Sequence, residues 1–273
     1  MKITCDLCTH HCALEEGQTG FCLARINQNG KIFSKAYGLL TSLALDPIEK
    51  KPFVRYLPGH MILSAGSFGC NMKCPFCQNY EISYAASCEN HSISPEELVS
   101  LAEQEKVHDN IGLAFTYNEP FVNYEYVRDC FQLAKEKDLK CILVTNGMVT
   151  KEYLKELLPY VDAMNIDLKG FRKDIYEKLQ GNLKCVKENI ALANQTCHVE
   201  VTSLIVPGLN DDPHDMEAEA KWLAGIDPEI TLHITRFFPR YHMRDKQPTD
   251  IALIDSLVEI ASKYLAHVYR GNC

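Results

Sequence analysis

The sequence predicts an α/β fold in which a small N-terminal cysteine-rich knuckle precedes an incomplete (βα)6 TIM-like barrel. From residue 60 onward, six short apolar runs of strand length alternate with segments of helical pattern. Such strand–helix repeats indicate a parallel sheet with right-handed crossovers. Residues 60–270 allow about 35 residues for each of six units, whereas eight units typically need roughly 250 residues in total. Periodicity alone leaves an open doubly wound sheet as the alternative.

The predicted strands are short and apolar on both faces, which is typical of a parallel sheet covered on both sides. They lie at residues 61–65, 111–116, 141–145, 163–168, 199–206 and 231–235, with a closing strand at 267–269. The predicted helices lie at residues 95–105, 124–137, 151–158, 174–194, 216–224 and 250–266. Ser94 and Pro95 mark a helix start, because Ser is a preferred N-cap residue and Pro suits the first helical position.

The chain ahead of the barrel divides into two parts. Residues 1–30 are rich in Cys, His and Gly and show no period, so they predict a metal-binding knuckle that ends near Asn29-Gly30. Residues 31–59 predict a connecting segment packed on the barrel, with a strand at 31–37. Residues 60–273 form the predicted barrel domain.

Composition narrows the class of protein. The chain has 273 residues, of which 46% are hydrophobic and 23% are charged, and these values are typical of a globular protein. No apolar run has the roughly 18 residues of a membrane span, and the N-terminus lacks the apolar region of a secretory signal. The net charge of −8 disfavours a nucleic-acid partner. The 13 cysteines, an odd number, favour metal-binding thiols in a reducing cytoplasm over disulfides.

Three cysteines form the strongest motif. Cys70, Cys74 and Cys77 have the spacing C-x3-C-x2-C and follow the first predicted barrel strand. Active sites of parallel α/β folds lie at the carboxyl ends of the strands. A structural zinc ion and a cubane iron–sulfur cluster each usually take four protein ligands, so three thiolates on four irons leave one iron open. The alternatives are a zinc site completed by a remote His or Cys, and simple buried thiols.

This spacing, with the aromatic Phe76 before the last cysteine, resembles that of radical S-adenosylmethionine (radical SAM) enzymes. Further motifs look like the radical enzyme of the AmmeMemoRadiSam system, a group related to pyruvate formate-lyase activating enzymes. These motifs are Asp46-Pro47-Ile48-Glu49-Lys50-Lys51-Pro52, Leu57-Pro58-Gly59, Gly69-Cys70-Asn71, Cys77-Gln78-Asn79, Ile82-Ser83 and Tyr117-Asn118-Glu119-Pro120. The resemblance implies that the cysteine triad holds a [4Fe-4S] cluster, whose open iron binds S-adenosylmethionine. It also implies reductive cleavage to a 5′-deoxyadenosyl radical that abstracts hydrogen from a substrate.

The resemblance also implies roles for residues at the ends of other predicted strands. Phe76 would lie near the adenine. Glu119 and the carbonyl of Asn118 would accept the methionyl ammonium, although the related enzymes carry Gly-Gly-Glu-Pro where this chain has Tyr-Asn-Glu-Pro. Lys169 would pair with the cofactor carboxylate. Asp167, two residues earlier and on the same side of its strand, would accept from a ribose hydroxyl or orient Lys169.

Four further candidates would line the nucleoside or the substrate. Thr145, Asn146 and Val206 follow or end predicted strands and are expected to contact the nucleoside. His233 is a weaker candidate, because a lone histidine within a strand is more often a core residue. Without the cysteine triad, Lys169 at a strand end would instead suggest a Schiff-base enzyme of the aldolase type.

The N-terminal knuckle carries a second candidate metal site at Cys5, Cys8, Cys12 and Cys22. Four thiolates suit a closed zinc site or an auxiliary iron–sulfur cluster. The spacing does not match the ferredoxin patterns, which favours zinc. Free thiols packed against the barrel are the alternative.

These observations leave three functions open. The first is a radical enzyme that acts on a protein, for instance as a glycyl-radical activase, with an electron donor such as ferredoxin or flavodoxin. The second is radical modification of a small molecule. The third is a metal-bearing scaffold without catalysis in a multi-protein system. No motif names the substrate.

Overall fold

The computed structural model describes residues 2–273, which form fourteen strands and eight helices. The strands are β1 Ile3–Thr4, β2 Ala13–Leu14, β3 Arg25–Gln28, β4 Lys31–Ser34, β5 Leu39–Leu40, β6 Ser42–Pro47, β7 Met61–Gly66, β8 His91–Ser92, β9 Asn110–Phe115, β10 Lys140–Thr145, β11 Ala163–Asp167, β12 His198–Ile205, β13 Thr231–Arg236 and β14 His267–Gly271. The helices are α1 Tyr80–Ser83, α2 Pro95–Gln104, α3 Tyr124–Glu136, α4 Lys151–Leu157, α5 Lys173–Lys178, α6 Leu183–Ala193, α7 Pro213–Ile226 and α8 Ile251–Ala261.

The centre of the molecule is an eight-stranded sheet with the order β14-β13-β12-β11-β10-β9-β7-β6 within the described residues. All neighbouring strands are parallel except β6 and β7, which pair antiparallel. The mostly parallel α/β fold that the strand–helix alternation predicts is therefore confirmed. The edge strand β6 lies within the predicted connecting segment, so the sheet begins before residue 60.

Both faces of the sheet are buried. Consecutive residues such as Ile142 and Leu143 on β10 are fully buried although they point to opposite faces. On one face, residues from β7, β9, β10 and β11 pack with Ile48 and Phe53 in one apolar cluster. The other face belongs to the larger core that includes the helices. The parallel arrangement brings the carboxyl ends of the strands to the same edge, where the loops carry most of the predicted site residues.

The prediction of one helix over 174–194 is wrong, because the chain forms α5 and α6 with a break between them. Gln180 adopts a left-handed conformation with φ of 53°. A β-carbon at Gly181 would lie 2.6 Å from Cε of Met72 and 3.0 Å from Cδ1 of Tyr176, so the loop packs closely against these two side chains. Asn182 then caps α6 by accepting a hydrogen bond from the amide of Cys185 at 3.1 Å. The break places this turn against the loop that carries the cysteine triad.

The N-terminal segment forms short antiparallel pairs instead of a larger layer. Strand β1 pairs with β2, and β3 pairs with β4. The strand predicted at 31–37 is present as β4, which ends at Ser34. Across residues 2–273, no helix combines the length and apolar character that crossing a bilayer requires.

Candidate active site at the carboxyl edge of the sheet

The cysteine triad lies in the loop that follows β7. Cys74 is buried, and Cys70 and Cys77 are partly buried. The amide of Cys77 donates to the carbonyl of Cys74 at 3.2 Å, and the amide of Met72 donates to Sγ of Cys70 at 3.4 Å. Tyr84 also stabilises the loop, because its hydroxyl donates a hydrogen bond to the carbonyl of Cys74 at 3.1 Å. The loop is thus ordered around its three thiols.

Two asparagines connect this loop to the end of β10. Nδ2 of Asn146 donates to Oδ1 of Asn71 at 2.8 Å and lies 3.7 Å from Sγ of Cys70. Nδ2 of Asn71 in turn donates to the carbonyl of Met148 at 2.6 Å. The predicted site residue Asn146 therefore contacts the triad. Asn71 bridges two loops, and this role carries no local sequence signal from which it could have been predicted.

Glu119 follows β9, and its carboxylate is 3% exposed. It accepts hydrogen bonds from the hydroxyl of Thr145 at 2.7 Å, the amide of Asn146 at 2.8 Å and the amide of Phe121 at 3.1 Å. Burial raises the pKa of Glu119 to about 7, although these donors favour the charged form. Thr145 and Glu119 are 26 residues apart in the sequence but are directly hydrogen-bonded in the structure.

Asp167 and Lys169 form an ion pair at the end of β11. Nζ of Lys169 lies 2.9 Å from Oδ2 of Asp167, so the two side chains lie on the same side as predicted. Burial alone would lower the pKa of Lys169, but the charge of Asp167, the charge of Cys74 and the hydrogen bond to Asp167 together outweigh burial and raise this pKa above its usual value. This pair places a partly buried cation close to the thiol loop.

The electrostatics of the triad reflect these neighbours. Burial raises the pKa of Cys70 well above its usual value, and the charge of Glu119 raises it further. Burial raises the pKa of Cys74 to about 12, while the charge of Lys169 opposes this rise. The carboxylate of Glu119 therefore acts on Cys70 and the ammonium of Lys169 acts on Cys74, two thiols of the same loop.

Three further residues that the sequence analysis selected have defined partners or packing in the structure. Phe76 is buried within the core next to the triad. Asn118 fixes the loop, because Oδ1 accepts from the amide of Ser67 at 2.8 Å and Nδ2 donates to the carbonyl of Gly69 at 3.1 Å. Val206 is fully buried, and its amide donates to Oδ1 of Asn210 at 2.7 Å.

His233 has a partner inside the sheet. Its Nε2 contacts the carboxylate of Glu200, which is fully buried. The same carboxylate accepts from the amides of Val54 and Arg55, at 3.2 and 2.9 Å. His233 is thus tied to Glu200 and, through it, to the segment after residue 50. Sequence reasoning did not select Glu200, because a carboxylate within an apolar strand has no motif around it.

The four N-terminal cysteines come together in space. Cys5, Cys8, Cys12 and Cys22 line one small cavity, together with Arg25 and other residues of this segment. Among residues 2–273, no three His, Cys, Asp or Glu side chains are grouped as ligands of a single metal ion. The amide of Cys70 donates to the carbonyl of Cys22 at 3.2 Å, so this segment touches the triad loop directly.

Comparison with known proteins identifies the family. The model of the radical SAM superfamily matches residues 66–223, which include the cysteine triad, Glu119 and the Asp167–Lys169 pair. The chain belongs to the radical SAM superfamily. Members of this superfamily use a [4Fe-4S] cluster and S-adenosylmethionine, as the resemblance implied. The donor set fits such a cluster, because three thiols share one ordered loop and two N–H groups are directed at Sγ of Cys70.

Two relatives and one solved structure show further similarity to this chain. The chain is 39% identical over 277 residues to the uncharacterized protein MJ0808 of Methanocaldococcus jannaschii, covering 99% of this chain and 81% of that protein. It is 28% identical over 154 residues to the pyruvate formate-lyase 1-activating enzyme of Escherichia coli K12, covering 53% of this chain and 61% of that enzyme. The structure of Streptococcus suis SuiB bound to S-adenosylmethionine matches the fold with a TM-score of 0.58 at 14% identity, covering 75% of this chain and 48% of SuiB.

Proposed function

We propose that this chain is a radical SAM enzyme of the activating-enzyme type, with Cys70, Cys74 and Cys77 as the ligands of its [4Fe-4S] cluster. One observation carries the assignment. The carboxylate of Glu119 and the ammonium of Lys169 reach the same thiol loop from different strands. The methionyl end of S-adenosylmethionine carries an ammonium and a carboxylate, so the two protein charges are complementary to it.

Each side chain has a distinct part in binding this cofactor. Glu119 accepts the methionyl ammonium, assisted by the carbonyl of Asn118. Lys169 pairs with the methionyl carboxylate while Asp167 holds its Nζ at 2.9 Å. Fixing both ends of the amino-acid moiety orients the sulfonium relative to the cluster.

The nucleoside is expected to lie over the remaining predicted residues. Thr145, Asn146 and Val206 line it, and Phe76 lies near the adenine. His233 stays a weaker candidate for cofactor or substrate contact, since Glu200 already engages its Nε2. When bound, the cluster and S-adenosylmethionine supply one-electron reductive chemistry that abstracts hydrogen from a substrate C–H bond. The protein supplies placement, charge complementarity and exclusion of water.

The sheet is proposed to curl as an incomplete barrel around this site. Residues from β7, β9, β10 and β11 converge on one apolar cluster with Ile48 and Phe53, which supports curvature towards that face. Strands β6 and β14 lie at opposite edges of the sheet order and do not pair with each other among the described residues. An unclosed edge of this kind leaves room for a substrate segment to reach the strand ends.

A protein is the proposed substrate, with glycyl-radical activation as the reaction. The similarity to the pyruvate formate-lyase 1-activating enzyme of E. coli supports this choice. The proposed reductant is a ferredoxin or flavodoxin, and the proposed location is the cytoplasm.

Formation of 5′-deoxyadenosine tests the function. The protein is reconstituted anaerobically with iron and sulfide, reduced with dithionite and supplied with S-adenosylmethionine. We expect 5′-deoxyadenosine from the wild type and from Cys197→Ala, which alters a cysteine remote from the triad in sequence. Cys74→Ala should abolish it. Absence of 5′-deoxyadenosine from a wild type that has bound its cluster would favour a non-catalytic scaffold, and borohydride trapping at Lys169 would favour Schiff-base chemistry.

A further inference from the structure

The N-terminal segment gathers four thiols that the proposed radical chemistry does not use. Cys5, Cys8, Cys12 and Cys22 line one cavity with a volume of about 10 Å³. The amide of Cys5 donates to the carbonyl of Cys12 at 2.9 Å, so the chain turns tightly between them. The amide of Phe21 donates to Sγ of Cys12 at 3.4 Å, so a backbone N–H is directed at this sulfur.

A buried cation lines the same cavity. Arg25 is 3% exposed and pairs through Nη1 with the carboxylate of Glu125. Its Nε is buried and has no hydrogen-bond partner within residues 2–273. A buried, unpartnered N–H of a guanidinium is unfavourable unless negative charge compensates it. Four neutral thiols supply no such charge, whereas four thiolates around a dicationic centre leave a net charge of about −2.

We infer that Cys5, Cys8, Cys12 and Cys22 bind a dicationic metal centre through four thiolates. The four thiols line one cavity but, within residues 2–273, are not grouped around a single ion, so a zinc ion would have to draw them closer together. A zinc ion and an iron–sulfur cluster share this ligand chemistry, and metal analysis distinguishes them. The site is separate from the triad, since none of its four thiols belongs to the C-x3-C-x2-C motif. It also supplies folding energy to a segment with little regular structure of its own, because such small domains couple metal binding to folding.

The position of this site links it to the triad loop. The carbonyl of Cys22 accepts from the amide of Cys70, and a β-carbon at Gly69 would lie 2.6 Å from that carbonyl oxygen. Gly69 has φ of 90°, which other residues rarely adopt. Nε2 of His10 lies 2.8 Å from the carbonyl oxygen of Asn71. A metal centre that orders the N-terminal segment therefore also holds in place the residues of that segment that pack against the triad loop.

The test uses the full chain in which the triad is removed by Cys70→Ala, Cys74→Ala and Cys77→Ala together. This background protein is produced with both metals supplied and purified anaerobically, and zinc, iron and sulfide are measured per chain. We expect about one zinc, or about four iron with a similar amount of sulfide. Adding Cys12→Ser should lower that content at least fivefold, whereas adding Cys197→Ser should leave it unchanged.

A background protein without zinc or iron would overturn the inference, as would unchanged metal content after Cys12→Ser. If Cys12→Ser does not fold, the wild type gives a second measurement by thiol alkylation and peptide mass spectrometry. Cys12 should become reactive only after chelation, whereas the reactivity of Cys197 should not change. Equal labelling of Cys12 with and without chelator would contradict the site. Neither measurement depends on cleavage of S-adenosylmethionine. A protein that forms no 5′-deoxyadenosine would therefore contradict the proposed function but not this metal site.

Discussion

The hydroxyl of Thr145 donates a hydrogen bond to Oε1 of Glu119 at 2.7 Å. Thr145 is the last residue of β10, and Glu119 lies four residues beyond the end of β9. Neighbouring strand ends are therefore coupled through one buried carboxylate. The bond orients the carboxylate and favours its charged form, which is the form that can accept an ammonium.

Thr145→Val should weaken binding of S-adenosylmethionine in a pH-dependent way. The wild type should bind less tightly as pH falls through the pKa of Glu119, about 7, because the carboxylate becomes neutral. Valine has a similar shape but no donor, so the pKa of Glu119 should rise further. The midpoint of the affinity–pH profile should then move to higher pH by about one unit. Equilibrium dialysis with the reconstituted protein measures this profile.

The matched control is Thr196→Val, which alters an exposed threonine in the turn before β12. Its profile should coincide with that of the wild type. A Thr145→Val profile with an unshifted midpoint would show that Glu119 does not govern cofactor affinity.

Lys169→Met should lower affinity for S-adenosylmethionine without removing the cluster. Methionine keeps the length of the side chain but loses the ammonium that Asp167 holds at 2.9 Å. Loss of a charge-assisted contact to the methionyl carboxylate should raise the Kd by about tenfold, or about 1.4 kcal/mol. Binding measured alongside iron content separates the two effects. Lys184→Met, at a side chain that is 85% exposed, should behave as the wild type.

Strand positions and the triad loop were predictable because their signals are local. Each parallel strand is a short apolar run, and polar residues mark the point where it ends. Glu119 and Lys169 could be selected because they follow such runs, and parallel strands bring their carboxyl ends to one edge. The fold then brings Glu119 and Lys169 to the triad loop, although both residues are distant from it in the sequence.

Other features depend on packing between distant segments and left no local signal. At the break between α5 and α6, Gly181 packs closely against Met72, which lies more than a hundred residues earlier in the chain. Glu200 is buried because the main chain of Val54 and Arg55 supplies donors to it. Its contact with His233 follows from the same packing.

Glu219 should make the protein less stable as pH rises. It is 3% exposed on α7 and accepts a hydrogen bond from the hydroxyl of Ser203. Burial raises the pKa of Glu219 to about 8, above the value of about 4.5 expected in the unfolded chain. The folded protein therefore favours the neutral form of Glu219. The contribution of Glu219 to the free energy of unfolding is complete below about pH 4.5 and is lost as pH rises through about 8.

Glu219→Gln should remove this pH dependence. Between about pH 6 and about pH 9, the free energy of unfolding of the wild type should fall by about 2.5 kcal/mol more than that of the variant. Urea titrations at both pH values, with equal metal content, measure the difference. Glu188→Gln, at a side chain that is 60% exposed, should keep the wild-type dependence. Parallel pH profiles for wild type and Glu219→Gln would contradict the assignment.

Gly112→Ala should destabilise the sheet because β9 and β10 approach closely there. A β-carbon at Gly112 would lie 2.0 Å from the carbonyl oxygen of Lys140 and 2.5 Å from its amide nitrogen. Both atoms belong to the backbone of β10, so a rotamer change cannot relieve the clash. We expect a loss of about 3 kcal/mol or more in the free energy of unfolding, measured by urea titration.

The control for this change is Gly225→Ala, because a β-carbon at Gly225, in the last turn of α7, would have no atom within 4 Å. Alanine there should stabilise the protein by about 0.5–1 kcal/mol, since glycine disfavours helix. Gly112→Ala should also disturb the site, because displacing β9 from β10 separates Glu119 from Thr145. A Gly112→Ala protein with wild-type stability and unchanged affinity for S-adenosylmethionine would show that this contact does not hold the two strand ends in register.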